Sequence, residues 1–455
     1  MSSSRQRRIE ALIEEVKEEL EAEKTEVPEN PVEFCQDQLG FEPTTYQKKL
    51  IKLFLEKQFL AAWWSRQTGK SHIISALLLW FALINHGSYI AVVGPSWRQT
   101  KLIIRRISTF LRKLAKGLYH KPLKTMVRLS NGSLIEAFPN NPETIRGPTL
   151  DLVYCDEMNF IPNDEEMYDA ILFTLGTTNG KFVCTSTPWT TDSVFFKICH
   201  NEEFDDFGRS HITYEDALEP KGPLKQEIVD KIKKQFEGDP CRWRREMLAE
   251  WAEDENVWLS QALITSCIDH TLEYCDFEET AKGEFYAGLD LGKYQDYSVL
   301  TVVKIEDSSI KLIHVHRFPL KTTYASVIGY VKTLCDRWDW INKVYVDMSG
   351  VGDYIVEDMI NAGITETLGV KFTAPVKEKM ATFLKQCMVE KKLKIPYDSD
   401  LIAELNVERF ELRKSGGILF SHPESTHDDR FWALALAAAA TRHEAEGKPD
   451  TFIFL

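Results

Sequence analysis

The stretch FLAAWWSRQTGKSHIISALLLW, residues 59–80, runs from a short apolar segment into a longer one through Gly69-Lys70-Ser71. Those three residues close the phosphate-loop pattern G-x-x-x-x-G-K-[ST]. Such a loop works because consecutive backbone N–H groups and a helix N-terminus face an anion, to which the lysine adds a point charge. In this reading Gly69 lets the backbone approach closely, Lys70 reaches the β- and γ-phosphates, and Ser71 holds Mg²⁺. Arg66, Gln67 and Thr68 complete the loop. The glycine that usually opens the pattern is replaced by Trp64, so the first turn must be made in another way.

Working outward, short apolar runs alternate with amphipathic ones. YIAVVGPS reads as a second strand, followed by a basic helix from Trp97 to about Gly117. TMVRLSNGSLIEAFP reads as a hairpin turning at Asn131-Gly132. LDLVYCDE and KFVCTSTP are two more strands ending in polar residues. Strand–helix alternation predicts a mostly parallel sheet with function at the carboxyl ends of its strands. There Asp156 suits the water shell of Mg²⁺, and Glu157 suits orienting and deprotonating an attacking water. Gln47, just upstream of the first strand, is a candidate reader of an adenine edge. Arg66 and Arg146 are candidates to neutralise a transferring phosphate, Arg146 being a candidate also for a neighbouring subunit's nucleotide. Thr185, Ser186 and Thr187 are placed to sense loss of the γ-phosphate.

The second half changes pattern. EFYAGLDLG, YSVLTVVKIE and KLIHVHRFPL are consecutive strand-like segments, followed by alternating helices and strands. Cleavage of a phosphodiester by two metal ions needs carboxylates from different elements, holding the ions about 3.5–4 Å apart. Asp290 ends the first of these strands and Asp347 ends KVYVDMSG. Asp428 and Asp429, beside His427, open the last helix. Hard Mg²⁺ or Mn²⁺ prefers such oxygen ligands. Either of the paired aspartates can be the main ligand; equally, either can be an N-terminal helix acid. Asp296 is a weaker outer candidate. Lys377 either approaches a phosphate or is ordinary surface.

The 455 residues are 44% hydrophobic and 27% charged, more chain than one core usually serves. We expect a charged helix within residues 1–30, a nucleotide-binding domain over 31–255, a linker over 256–283 and a second α/β domain over 284–455. Nine cysteines without a C-x-x-C pair argue against zinc ribbons and disulfide frameworks. No apolar run is long enough to span a bilayer, and the N-terminus lacks the features of a signal peptide. The net charge of −14 argues against a uniformly basic surface. Against it, Arg98, Lys101, Arg105, Arg106 and Arg112 concentrate on one helix as candidate DNA-phosphate contacts. Arg242, Arg244 and Arg245 around Trp243 make a weaker basic spot.

SRQTGKS, IRG, VYCDE and TSTP, in that order, resemble the ATPase of the large terminase subunit of tailed bacteriophages. The aspartates of the second half are similar in order to that family's ribonuclease H-like nuclease. The resemblance covers nearly the whole chain after about residue 32. It implies a P-loop ATPase with a mostly parallel sheet, joined to a ribonuclease H-like domain. It also implies ATP-driven packaging of double-stranded DNA and metal-dependent cutting of concatemers. A portal protein, a small terminase subunit and a ring of five subunits follow as partners the resemblance implies, in the host cytoplasm and transiently on the procapsid. A DNA-repair helicase-nuclease is the alternative, but only one motor-like domain is legible.

Overall fold

Seven strands make the first sheet: β1 (Phe59–Trp64), β2 (Tyr89–Val93), β3 (Met126–Arg128), β4 (Leu134–Ala137), β5 (Leu152–Asp156), β6 (Lys181–Ser186) and β7 (Gly208–Ile212). The computed structural model describes residues 27–442, apart from 238, 254–255, 293–295, 340, 350–351, 353, 413–416 and 424–425. The expected charged helix near the N-terminus lies outside the described residues. Strand order is β3-β4-β2-β5-β6-β1-β7, parallel throughout except where β3 pairs with β4. Alternation along β1 sorts its side chains between two cores. Leu60, Ala62 and Trp64 pack with the helices Thr45–Glu56, Lys70–Ile84 and Trp97–Leu111, while Ala61 packs on the other face with Asp164–Leu175 and Val194–His200. Covered on both faces, the central strands are almost continuously apolar, as parallel strands are.

One sequence expectation shifts here, and the hairpin keeps its expected turn at Asn131-Gly132. The basic helix stops at Leu111 instead of continuing to Gly117. In the hairpin it is Gly132 that takes positive φ (86°), and the Gly132 N–H donates to the Leu129 carbonyl. Asn131 instead sends its amide to the carbonyls of Ala82 and Leu83, tying the turn to a helix.

The chain divides into two units. The first takes residues up to Ile232 together with Arg242–Ala252, and the second takes Lys233–Cys241 and everything from Glu253. The stretch expected to be a linker, 256–283, is therefore part of the second unit. Its helix Gln261–Ser266 is capped by Ser260, and Val257 and Ile268 bridge to Arg409 and Ile395.

In the second unit the sheet order is β12-β11-β8-β9-β10-β13, from β8 (Glu284–Asp290), β9 (Val299–Glu306), β10 (Ser309–Arg317), β11 (Ile341–Asp347), β12 (Thr367–Val370) and β13 (Leu393–Lys394). β8, β9 and β10 form an antiparallel meander; β11 joins β8, and β12 joins β11, in parallel. Phe285, Ala287 and Leu289 of β8 face the helix Tyr324–Arg337. The opposite face carries Gly288 and receives the helix Asp429–Ala440, whose residues are all buried. That approach is so close that a Cβ on Gly288 would lie 2.2 Å from the Ala433 carbonyl oxygen and 2.4 Å from the Ala437 nitrogen. Glycine is required there by contact, not by φ.

Candidate active sites

The phosphate loop sits between β1 and the helix Lys70–Ile84. Gly69 is its N-cap in the left-handed region (φ 85°), and Gln67 also has positive φ. A Cβ on Gly69 would lie 2.8 Å from the Gln47 Nε2, so the cradle is already tight. Trp64 answers the question of the missing glycine. It is still a strand residue, paired with Ile212 of β7, fully buried, with its indole N–H donating to Ser210 Oγ at 2.9 Å. The turn begins one residue later. The Ser65 N–H donates to the Ile212 carbonyl (2.8 Å), the Arg66 N–H to the Glu246 carbonyl (3.0 Å), and Thr68 Oγ1 back to the Ser65 carbonyl (2.8 Å). Tyr46, a residue the sequence reading passed over for its neighbour, donates its hydroxyl to the Thr68 carbonyl at 2.7 Å and packs edge-on against Trp64.

Because β6 lies between β1 and β5, three strand ends converge on the loop. Lys70 Nζ is 3.5 Å from Glu157 Oε1. The other oxygen of Glu157 accepts from Ser186 Oγ (3.1 Å), the Thr187 N–H (3.0 Å) and Thr187 Oγ1 (3.2 Å). Burial pulls the Glu157 carboxyl upward, but Lys70, the Thr187 N–H, Arg66 and Ser186 together hold it below the usual carboxylate range. Asp156 is raised, by burial first and then by the charge of Glu157, although Tyr154 and Thr185 donate to it at 2.6 and 3.2 Å. A divalent cation beside this pair would relieve that repulsion, so the residues present fit Mg²⁺-nucleotide.

The other candidates have partners of their own within the chain. The Gln47 Oε1 accepts from the Thr44 N–H (2.9 Å) in a capping box, so the oxygen serves its own helix and only Nε2 faces the loop. Arg66 forms an ion pair with Glu246, though its charge still reaches Glu157. Arg146 is half-exposed at the end of the short helix Pro142–Ile145 and pairs with Glu143. In the weaker basic spot around Trp243, Arg244 pairs with Glu250, while Arg245 is buried over the Trp189 ring and donates to the Ala252 carbonyl.

In the second unit, parallel pairing of Leu289 with Val346 sets Asp290 beside Asp347. Asp290 shares the face of Gly288, where the last helix packs, so Asp428 and Asp429 arrive from above. The Asp290 carboxyl is pushed far up by burial, then by Asp347, Asp429 and Asp428. Burial, Asp428 and Glu404 raise Asp429 to about 7, although the Tyr297 N–H donates to it. Burial also raises Asp347, against two hydrogen bonds from Ser349. Four acids thus share one region, an oxygen-only donor set suited to hard divalent ions. Among the described residues no three His, Cys, Asp or Glu side chains converge tightly enough to hold an ion.

Glu408 escaped the sequence reading. It is 1% exposed, and burial, then the charge of Asp428, pushes its carboxyl to about 10, while its Oε2 finds no hydrogen-bond partner among the described residues. Asp428 Oδ2 accepts from Trp432 Nε1 at 2.7 Å, and His422 lies 3.7 Å from its other oxygen. Asp296 is exposed and reaches the cluster only through its charge on Asp429.

On the helix Trp97–Leu111 and its C-cap, Arg98, Arg105 and Arg112 are exposed at seven-residue spacing, one stripe with Lys101 half-exposed beside it. None of these three arginines is ion-paired with a described residue. Arg106 turns inward, its charge felt by His72.

A phosphate-loop unit and a carboxylate-centred nuclease-type sheet in one chain define a two-domain ATPase–nuclease. Residues 63–266 match the family described as "Terminase large subunit, T4likevirus-type, N-terminal", and residues 287–440 match "Terminase RNaseH-like domain". The chain belongs to the large terminase subunit family, DNA-packaging motors with ATPase and nuclease domains; a helicase-nuclease is not favoured. It is 25% identical to the terminase large subunit of Thermus virus P23-45 and 24% to that of Thermus phage G20c, in each case over 88% of this chain and 87% of theirs. A crystal structure of the G20c large terminase nuclease with bound magnesium is 25% identical, covering 41% of this chain and 98% of that one, with a TM-score of 0.36.

Proposed function

We propose that the first unit hydrolyses ATP with Mg²⁺ to move double-stranded DNA into a procapsid, and that the second cuts concatemeric DNA with Mg²⁺ or Mn²⁺. The observation that carries this reading is the ionised Glu157, held between Lys70 and the hydroxyls of β6 at the mouth of a strand–loop–helix cradle. Lys70 and the loop N–H groups receive the phosphates, Ser71 and Asp156 hold the metal's shell, and Glu157 takes a proton from the attacking water. Thr185, Ser186 and Thr187, which bind Asp156 and Glu157 directly, couple that event to the sheet. The solvent-facing Arg146 acts on a neighbouring subunit's nucleotide. Arg66 adds its charge from the flank of the loop.

In the second unit Asp290, Asp347, Asp428 and Asp429 would hold the divalent ions, which when bound would supply Lewis acidity and activate a water. The Arg98–Arg105–Arg112 stripe with Lys101 follows duplex phosphates without reading sequence. A portal protein, a small terminase subunit and a five-subunit ring complete the assembly, on the procapsid in the host cytoplasm. The test is a pair of variants: Lys70→Ala should abolish ATPase and leave Mn²⁺-dependent plasmid cleavage, and Asp290→Ala should do the reverse. Loss of both activities in either variant, or strand separation of a forked duplex by the wild type, would defeat the reading.

A further inference from the structure

Lys377 lies in the first turn of the helix Ala374–Val389, half-buried, with its Nζ 4.4 Å from the centroid of the Trp432 ring and 5.3 Å from that of Phe372. Among the described residues it has no ion pair, yet its charge is felt by Asp290, Asp347 and Glu408. A lysine serving only to neutralise those acids would sit in contact with one of them. This one is instead parked on two aromatic faces at the edge of the cluster, a placement that cation–π attraction stabilises. The same two residues help to hold the acids. Trp432 donates its indole N–H to Asp428, and the Phe372 backbone N–H donates to Ser349 Oγ (2.6 Å), which donates to Asp347 at 2.6 Å. Trp432 is 2% exposed and wedged among Phe372, Phe420 and Phe431, so its orientation is fixed.

We propose that Trp432 is a positioning residue of the nuclease centre, its N–H fixing the Asp428 carboxylate while its face seats Lys377 as the cation that meets the scissile phosphate. This rests on the reading of the second unit as a metal nuclease. The two functions of one ring separate by substitution. Lys377→Met removes the phosphate contact and, although it takes away a charge the acids feel, keeps every hydrogen bond that orients them. Trp432→Phe keeps an aromatic seat and removes the hydrogen bond to Asp428.

The test uses full-length protein, titrated calorimetrically with Mn²⁺ and assayed for plasmid cleavage against Mn²⁺ concentration, with ATPase activity and melting temperature as folding controls. Lys377→Met should keep Mn²⁺ affinity within about twofold and lose about tenfold or more in cleavage, as loss of a charge-stabilising donor does; Lys377→Arg should recover most of it. Trp432→Phe should weaken Mn²⁺ binding by about tenfold, the usual cost of losing a group that orients a metal ligand, with cleavage returning at high Mn²⁺. Cleavage by Lys377→Met within twofold of wild type overturns the proposal, as does a parallel loss of its Mn²⁺ affinity or wild-type Mn²⁺ binding by Trp432→Phe. Wild-type protein that neither binds Mn²⁺ nor cuts would instead overturn the nuclease reading beneath it.

Discussion

Gly288→Ala tests the geometry of the second unit far more severely than its one added methyl suggests. The new Cβ would lie 2.2 Å from the Ala433 oxygen, 2.4 Å from the Ala437 nitrogen and 2.7 Å from the Leu436 Cβ. Those separations fall about 1 Å short of ordinary contact. Two of the three opposing atoms are backbone, so no side-chain rotation relieves the clash. The helix Asp429–Ala440 must lift from β8 by about that distance, carrying Asp428 and Asp429 away from Asp290. Overpacking of this kind costs roughly 1–3 kcal/mol of stability, and a displacement of about 1 Å at reacting groups costs about a hundredfold in rate. The expected outcome is plasmid cleavage down about a hundredfold, a lower melting temperature and unchanged ATPase activity. Cleavage within threefold of wild type, with an unshifted melting curve, would refute the claim that helix-to-sheet contact at Gly288 sets the carboxylate spacing.

Restoring the glycine of the common phosphate-loop pattern should harm this protein: Trp64→Gly empties a fully buried site and orphans Ser210, costing about 5 kcal/mol or more, read as a collapse of the melting temperature together with ATPase. Asp164 is held at about 6, chiefly by burial, while its Oδ2 accepts from the Val194 N–H. Because its folded-state value lies above the unfolded one, its contribution is full below about pH 4 and is lost as pH rises through 6, up to roughly 3 kcal/mol. Asp164→Asn should therefore melt higher than wild type at pH 7.5 and lose that advantage at pH 4.5, and equal melting differences at both values would contradict this. Replacing Arg98, Arg105 and Arg112 together by alanine should weaken duplex binding regardless of sequence. It should flatten the log affinity–log salt slope by about 2.7, at about 0.9 per phosphate contact; an unchanged slope would remove the stripe from the DNA path.

Local patterns were readable wherever chemistry follows chain order. The strand–loop–helix around Gly69-Lys70-Ser71 and the acids closing β5, β8 and β11 depend on apolar periodicity ending in a polar residue, which the sequence displays directly. Less legible were roles decided by what packs across space. Trp64 looks like a damaged motif until its pairing with Ile212 makes it a core strand residue. Gln47 looks like the reader beside the loop, yet its oxygen is spent in a capping box whose T-x-x-Q signature was there to be seen at Thr44. Tyr46, one residue earlier, makes the contact to the loop. Glu408 carried no visible signal at all, because nothing local marks a glutamate whose partner, Asp428, lies twenty residues on. Gly288 sat in plain view in AGLDLG, but only the helix crossing above it explains why a side chain is forbidden.

Arg66 is fastened to Glu246 twice, by its backbone N–H to the carbonyl and by its guanidinium to the carboxylate. Glu246 belongs to the last stretch of the first unit, and the chain passes into the second only seven residues later, at Glu253. The entry to the nucleotide cradle is therefore anchored to the segment that closes the first unit as well as to β7, so a substitution at Glu246 reaches the phosphate loop directly.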